Sequence, residues 1–224
     1  MRIAARVVAI ALGLAVAGCG QDVPETATLG ADGGRAHMSA PKTGADPLVD
    51  GRGRPIPPPP VPEHVRAQAV RASENAVIAL WVVEGRVFSS AWTADAGWSA
   101  AEPMEEIYGA STDVQLASNG RGVALAIWRH TVGSIQSLRF SRFEQGAGWS
   151  RPDVMPGALP QPPGADDGPR LDMDANGNAT AQWPSGFDEG ELQIARYVDG
   201  QGWTKPSSQP VAAAGETRSA STTR

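Results

Sequence analysis

The chain is 224 residues long and acidic, with 24 Asp and Glu against 19 Lys and Arg and a formal net charge of −5. That balance, without a basic stripe or interleaved aromatic and basic residues, argues against nucleic acid or an anionic lipid surface as the main partner. A single cysteine, Cys19, excludes a disulfide within one molecule.

The first element is an export signal. Arg2 and Arg6 form a short positive region, and Val7 to Ala17 is an apolar run without a charge. A bilayer span needs about 20 apolar residues, so this run is too short to cross but suits a signal-peptide h-region. It ends in Val16-Ala17-Gly18-Cys19, which resembles the lipobox of bacterial lipoprotein precursors. The resemblance implies that residues 1–18 are removed as a signal peptide, and that the Cys19 thiol takes a diacylglyceryl group and anchors the chain through two or three lipid chains. Acylation also removes a lone thiol that an oxidising compartment would otherwise attack. Gly20 stands where aspartate is linked to inner-membrane retention, so in a host with two membranes the resemblance implies the outer one. Cleavage leaves 17 basic and 24 acidic residues, a net charge of −7.

Residues 19–62 read as a lipidated cysteine followed by a disordered, proline-rich linker. The segment has almost no large apolar residue to offset ordering entropy. The run from Pro55 to Pro62 is expected to be a stiff polyproline II spacer holding the domain off the membrane, with a peptide ligand for a proline-reading domain as the alternative. Residues 215–224 are expected to be a frayed tail.

Residues 63–214 repeat. Aligned without gaps on tryptophan, Leu116 to Trp128 matches Leu171 to Trp183, with Gly122, Ala124 and Ala126 over Gly177, Ala179 and Ala181. Ala69 to Trp81 is a weaker copy in which Asn75 takes the glycine's place, as asparagine does where φ is positive. A second landmark follows each tryptophan: Gly97-Trp98-Ser99, Gly148-Trp149-Ser150 and Gly202-Trp203-Thr204. The first tryptophans lie 47 and 55 residues apart and the second ones 51 and 54, a period that means blades, solenoid units or an array. Alanines and tryptophan alternating with a period of two indicate strands, as do Arg86 to Trp92 and Leu138 to Phe143. The expected fold is all-β, with three four-stranded antiparallel blade-like repeats at about 63–107, 108–160 and 161–214. Closed propellers have about four to eight blades, so three imply a truncated chain, two chains sharing one ring as a homo-oligomer, or an open array.

In these motifs the chain is similar to the propeller-type repeat proteins of bacterial surface lipoproteins, and more distantly to sialidase and lectin propellers. The sialidase Asp-box is not matched, because Trp183 lies six residues after Gly177 rather than three. Fucose-lectin propellers are closer around Val198 to Trp203, yet Ser89 stands where their glutamate is expected.

Candidate site residues follow. Trp92, Trp98, Trp149 and Trp203 are expected to offer aromatic faces to a glycan or protein ligand, core packing being the competing role. Asp172, Asp174 and Asn176 alternate before Gly177 in the manner of a calcium loop, against the simpler reading of a solvated hairpin turn. A carboxylate at the twelfth position of such a loop is missing, and no other cofactor is indicated. His130 reads as a surface residue at a strand end rather than a general base, and Glu105-Glu106 and Asp166-Asp167 as exposed pairs. The function expected is a membrane-anchored envelope lipoprotein presenting a binding module for a glycan or protein. The alternatives are a degenerate sialidase-like glycoside hydrolase and a structural envelope component.

Overall fold

The computed structural model describes residues 48–158, 168–185 and 190–210. Cys19, the signal peptide, most of the linker, Asp166-Asp167 and the tail lie outside them. The described residues are all-β and without helix, in three antiparallel sheets that follow one another along the chain.

Each sheet is an up-and-down meander. The first has β1 (Gln68–Ser73), β2 (Ala76–Val83) and β3 (Arg86–Thr93), and the second has β6 (Ala110–Ser118), β7 (Val123–Val132) and β8 (Ile135–Glu144). The third has β11 (Arg170–Met173), β12 (Ala179–Pro184) and β13 (Glu191–Val198). The fourth position is filled by two short strands on the same neighbour: β4 (Gly97–Trp98) and β5 (Glu102–Pro103) on β3, β9 (Gly148–Trp149) and β10 (Asp153–Val154) on β8, β14 (Gly202–Trp203) and β15 (Ser207–Pro210) on β13. The predicted four-strand plan therefore holds, with a broken outer strand.

The break explains the Gly-Trp-Ser motif. Gly97, Gly148 and Gly202 have φ of +72°, +82° and +91°, which a side chain would resist. The hydroxyl after each tryptophan then closes the ladder where the strand stops. Ser99 N–H donates to the Ala91 carbonyl (2.8 Å) while Ser99 Oγ accepts from Ala91 N–H (3.1 Å). Ser150 does the same with Arg142 (2.7 and 3.0 Å), and Thr204 with Arg196 (2.7 and 3.0 Å). In the first two sheets a buried serine, Ser90 or Ser141, donates to the carbonyl of Ser99 or Ser150, each at 2.8 Å.

The sheets pack face to face through their middle strands. Ile78 and Leu80 of β2 meet Val114, Leu116, Ala124, Ala126 and Trp128 of the second sheet. Leu125 and Ile127, on the opposite face of β7, meet Leu171, Ala179, Ala181 and Trp183 of the third. Ala124, Ala126 and Ala181 have no exposed surface at all, which is why only small residues fit there. Trp128 and Trp183, 0% and 5% exposed, fill the rest of the two interfaces, and Trp81, 1% exposed, lies on the opposite face of the first sheet. At the positions that continue Leu125 and Ile127, the third sheet has Thr180 and Gln182, so its far face is mostly polar, with Ile194 the apolar residue among Arg196, Lys205 and Gln209.

The first strands of successive sheets are neighbours, as in blades around a common axis. Gln68 joins them as a surrogate peptide: its Nε2 donates to the Val114 carbonyl (2.7 Å) and its Oε1 accepts from Leu116 N–H (3.1 Å). Gly122 N–H donates to the Ala72 carbonyl at 2.7 Å.

Two local expectations are corrected. Asn75 is not among the residues of positive φ; β1 and β2 instead turn tightly, with Ser73 opposite Ala76 and a bulge at Arg71/Ser73. The linker boundary at residue 62 also moves. Val49 pairs with Pro55, and Trp98 Nε1 donates to the Pro57 carbonyl at 2.8 Å, so the chain from residue 48 is part of the folded domain rather than a spacer.

Candidate binding surface

The tryptophans expected to meet a ligand sit as follows. Trp92 is 6% exposed, inside the first sheet and opposite Trp98. Trp149 is half-buried edge-on to Phe143 (5.4 Å between centroids), and Trp203 packs on Tyr197 (5.3 Å) and Phe140 (6.0 Å). Their rings lie on outer strands facing the preceding sheet, not on loops at one end, because the glycine before each turns the ring inward. Trp98, Trp149 and Trp203 are half-buried, and Trp149 lines an open cleft between the first two sheets.

Asp174 is the centre of a turn. Its Oδ1 accepts from the backbone N–H of Asn176 (2.8 Å) and Asn178 (3.0 Å), and its Oδ2 from the Asn178 side-chain amide (3.1 Å). The Asn178 side-chain amide foremost, then the Asn178, Asn176 and Gly177 backbone amides, hold the Asp174 carboxyl below its ordinary value of 3.8. Asn119 occupies the same place in the second sheet, with Oδ1 accepting from Arg121 N–H (2.8 Å) and Val123 N–H (3.1 Å). A neutral amide thus performs the same task as the carboxylate. Asp172 lies on β11 opposite Thr180, and Asn176 within the turn. Among the described residues, no group of three or more His, Cys, Asp or Glu is placed to hold a metal ion.

His130 is not a surface residue but 5% exposed, since β7 is the central strand of the middle sheet and is covered on both faces. Its Nδ1 lies 3.0 Å from Ser111 Oγ, and its Nε2 lies 3.0 Å from the Tyr108 carbonyl. A carbonyl only accepts, so Nε2 carries the proton and Nδ1 accepts from the serine. A hydroxyl donating to an imidazole nitrogen has the polarity of a nucleophile and its base, but His130 is buried and its other nitrogen is spent on a backbone carbonyl. Ser111 is itself 3% exposed. The pair's work is to hold a loop.

That loop, residues 104–109, joins the first sheet to the second and is pinned at both ends. At its start Glu105, with 9% of its side chain exposed, accepts from Trp128 Nε1 (3.2 Å) and pairs with Arg139 Nη2 (2.7 Å). At its end Gly109 has φ +124°, and a Cβ there would lie 2.5 Å from the Thr131 carbonyl and 2.7 Å from His130 Nε2. Between the pins Ile107 and Tyr108 are 45% and 87% exposed. Val132 (42%) and Ile135 (57%), flanking the β7–β8 turn, are further exposed apolar residues, and Ala110 just after the loop lies opposite Thr131. Beside the loop is an open cleft of about 540 Å³ lined by Glu105, Glu106, Ile107, Arg139, Arg151 and Asp153, among others.

Sequence reasoning passed over Ile107 and Tyr108. The available signal was a tyrosine, one of only two in the chain, set between Ile107 and Gly109 in a stretch outside the strand pattern.

No protein-family model and no curated relative matches the chain. Among solved structures it is similar to the NanB sialidase from Streptococcus pneumoniae, at 12% identity and a TM-score of 0.48 over 70% of this chain and 26% of that one. It is also similar to Aleuria aurantia lectin in complex with alpha-methyl-L-fucoside, at 12% identity and a TM-score of 0.43 over 66% of this chain and 46% of that one. A third is the Hadza microbial sialidase Hz136, at 17% identity and a TM-score of 0.39 over 70% of this chain and 43% of that one. The chain spans between about a quarter and a half of the length of these proteins, and their ligands are properties of those proteins.

Proposed function

We propose that this is a lipid-anchored envelope lipoprotein, attached through Cys19 to the outer membrane of a diderm host, whose three-sheet domain binds a glycan or protein ligand. The observation that carries the binding reading is the pinned loop. Tyr108, 87% exposed beside the 45% exposed Ile107, offers a partner an aromatic face that the fold leaves uncovered. Here two buried polar pins fix the loop in place, so little entropy is lost when a ligand docks. An amphipathic tyrosine ring suits both a sugar face and a protein anchor, and the charged cleft alongside supplies hydrogen-bonding groups.

The enzyme alternative takes its support from the acids and arginines that share this cleft, but Glu105 and Arg139 are bound to one another. The binding reading is tested by screening the mature chain against a glycan array and against envelope proteins, with Tyr108→Ala as the control. Binding lost in Tyr108→Ala supports it; unchanged binding places the ligand elsewhere. The anchor is tested by Cys19→Ser, which should move the protein from the membrane to the soluble fraction.

A further inference from the structure

We infer that residues 48–57 are the first hairpin of a fourth repeat, and that this remnant caps the open face of the first sheet in place of a preceding blade. The hydrogen bonds of its turn are those of the other repeats. Asp50 Oδ1 accepts from Arg52 N–H and Arg54 N–H, both at 2.9 Å, as Asp174 does from Asn176 and Asn178 and Asn119 from Arg121 and Val123. Asp50 N–H donates to the Arg54 carbonyl (2.8 Å), matching Asn119 to Val123 (3.1 Å) and Asp174 to Asn178 (2.8 Å). Gly53 N–H donates back to the Asp50 carbonyl (2.9 Å), as Gly177 does to Asp174 (3.1 Å). The glycine three residues on has φ of +74° in Gly53, +100° in Gly122 and +87° in Gly177. The sequence agrees once the turn is known, since Asp50-Gly51-Arg52-Gly53 stands beside Asn119-Gly120-Arg121-Gly122.

Its location is also that of a blade. Trp149 and Trp203 pack towards the preceding sheet, on Met104 and Phe140 respectively among others. Among the described residues no sheet precedes that of Trp98, their counterpart, and its indole N–H donates to the Pro57 carbonyl instead (2.8 Å). Arg71, on the same face, donates to the Val49 carbonyl. The burial of the middle strands agrees. Among the described residues one sheet flanks β2 and one flanks β12, yet the first six residues of β2 are buried without interruption while β12 alternates buried and half-buried. Val77, Ala79 and Trp81, on the face turned away from the second sheet, are 0%, 0% and 1% exposed.

The remnant departs from a blade where a cap should. Nine residues after Asp50, where Asn119 and Asp174 lead to Trp128 and Trp183, stands Pro59 in the proline run. Prolines have no N–H to offer a further strand, so the chain covers an apolar face without presenting a new edge. The third sheet carries polar Thr180 and Gln182 on its far face, the kind of outer face that capping units of repeat proteins carry.

Amide hydrogen exchange on the full chain tests the cap. The Asp50, Gly53 and Ile56 amides should exchange at least about 100-fold more slowly than an unstructured chain, together with those of β2. Exchange of these amides at unstructured rates, while β2 stays protected, would overturn the inference. Asp50→Ala should release protection across residues 48–57, as Asn119→Ala should release it across the β6–β7 turn. Trp98→Phe keeps the ring but removes the donor, and should release Ile56 while leaving Asp50 and Gly53 protected. Protection in residues 48–57 that survives Asp50→Ala, or protection of Ile56 indifferent to Trp98→Phe, would show that these contacts do not hold the segment.

Discussion

Gly109 and His130 show how a buried contact fixes an exposed one. A Cβ at Gly109 meets backbone at 2.5 Å, and backbone cannot swing aside as a side-chain end would. Gly109→Ala should therefore cost about 1–3 kcal/mol through left-handed strain and clash, and should move the Tyr108 loop. Denaturant unfolding measures the cost, and the exchange rate of the Ser111 amide, which donates to the Gly85 carbonyl at 2.7 Å, reports the displacement. Neither Gly109 nor His130 was legible as a positioning residue in the sequence. A lone histidine near a strand end gives no sign of its burial, because the groups that meet it, at Tyr108, Gly109 and Ser111, come from a loop and strand start 19 to 22 residues back in the chain.

Asp174 permits a prediction with a sign. Its carboxyl is held below 3.8 in the folded chain, so its contribution is present above that value and is lost as pH falls below 3.8 through the lowered folded value. The Asp174→Asn variant should keep the turn, since Asn119 already makes it with an amide, and should remove this part of the acid sensitivity. Thermal melts between pH 2 and 6 distinguish the two chains. Identical acid slopes would mean that Asp174 keeps its partners in the unfolded state.

At the level of elements, the repeat was legible because each landmark residue answers a local demand. Glycine precedes the second tryptophan because φ is positive there, and a hydroxyl follows it because the outer strand breaks and its neighbour needs both a donor and an acceptor. Ser141, with no exposed surface, donates to the Ser150 carbonyl at 2.8 Å. Ser141→Ala should remove this bond from a buried donor and cost about 0.5–1.5 kcal/mol. The same change at Ser90 should cost a similar amount, and the third sheet, which has Ala195 at this position, shows that a blade forms without the hydroxyl. A loss below about 0.5 kcal/mol in both variants would mean that water replaces the serine. The 48–57 hairpin escaped the same reading for a physical reason. The tryptophan landmark is missing from it, since Pro59 stands where Trp128 and Trp183 stand in the other units. What it retained, Asp-Gly-Arg-Gly, is turn chemistry common enough to pass for linker.

For the whole molecule, the question is what keeps three sheets from recruiting more. A row of Ile78 and Leu80, or of Leu125 and Ile127, meets alanines and a tryptophan on the next sheet, and each such interface is self-sufficient. On the third sheet Thr180 and Gln182 replace that row, beside Arg196, Ser207 and Gln209. Burying such groups without partners costs about 1–3 kcal/mol each, enough to disfavour another sheet there. Restoring the row with the double variant Thr180→Leu, Gln182→Ile should reverse the balance. About 1.5–3 kcal/mol for each newly buried aliphatic side chain is then available to association. Light scattering should show a molar mass that rises with concentration in the double variant and stays at the single-chain value in the parent. Adding Trp98→Phe and Asp50→Ala to the double variant separates two kinds of contact. Growth that speeds up means the apolar row seeks the capped face of the first sheet, head to tail, in the heterologous mode that leads to open chains. Growth that stops at a dimer and ignores the cap means that two third sheets pair with each other instead.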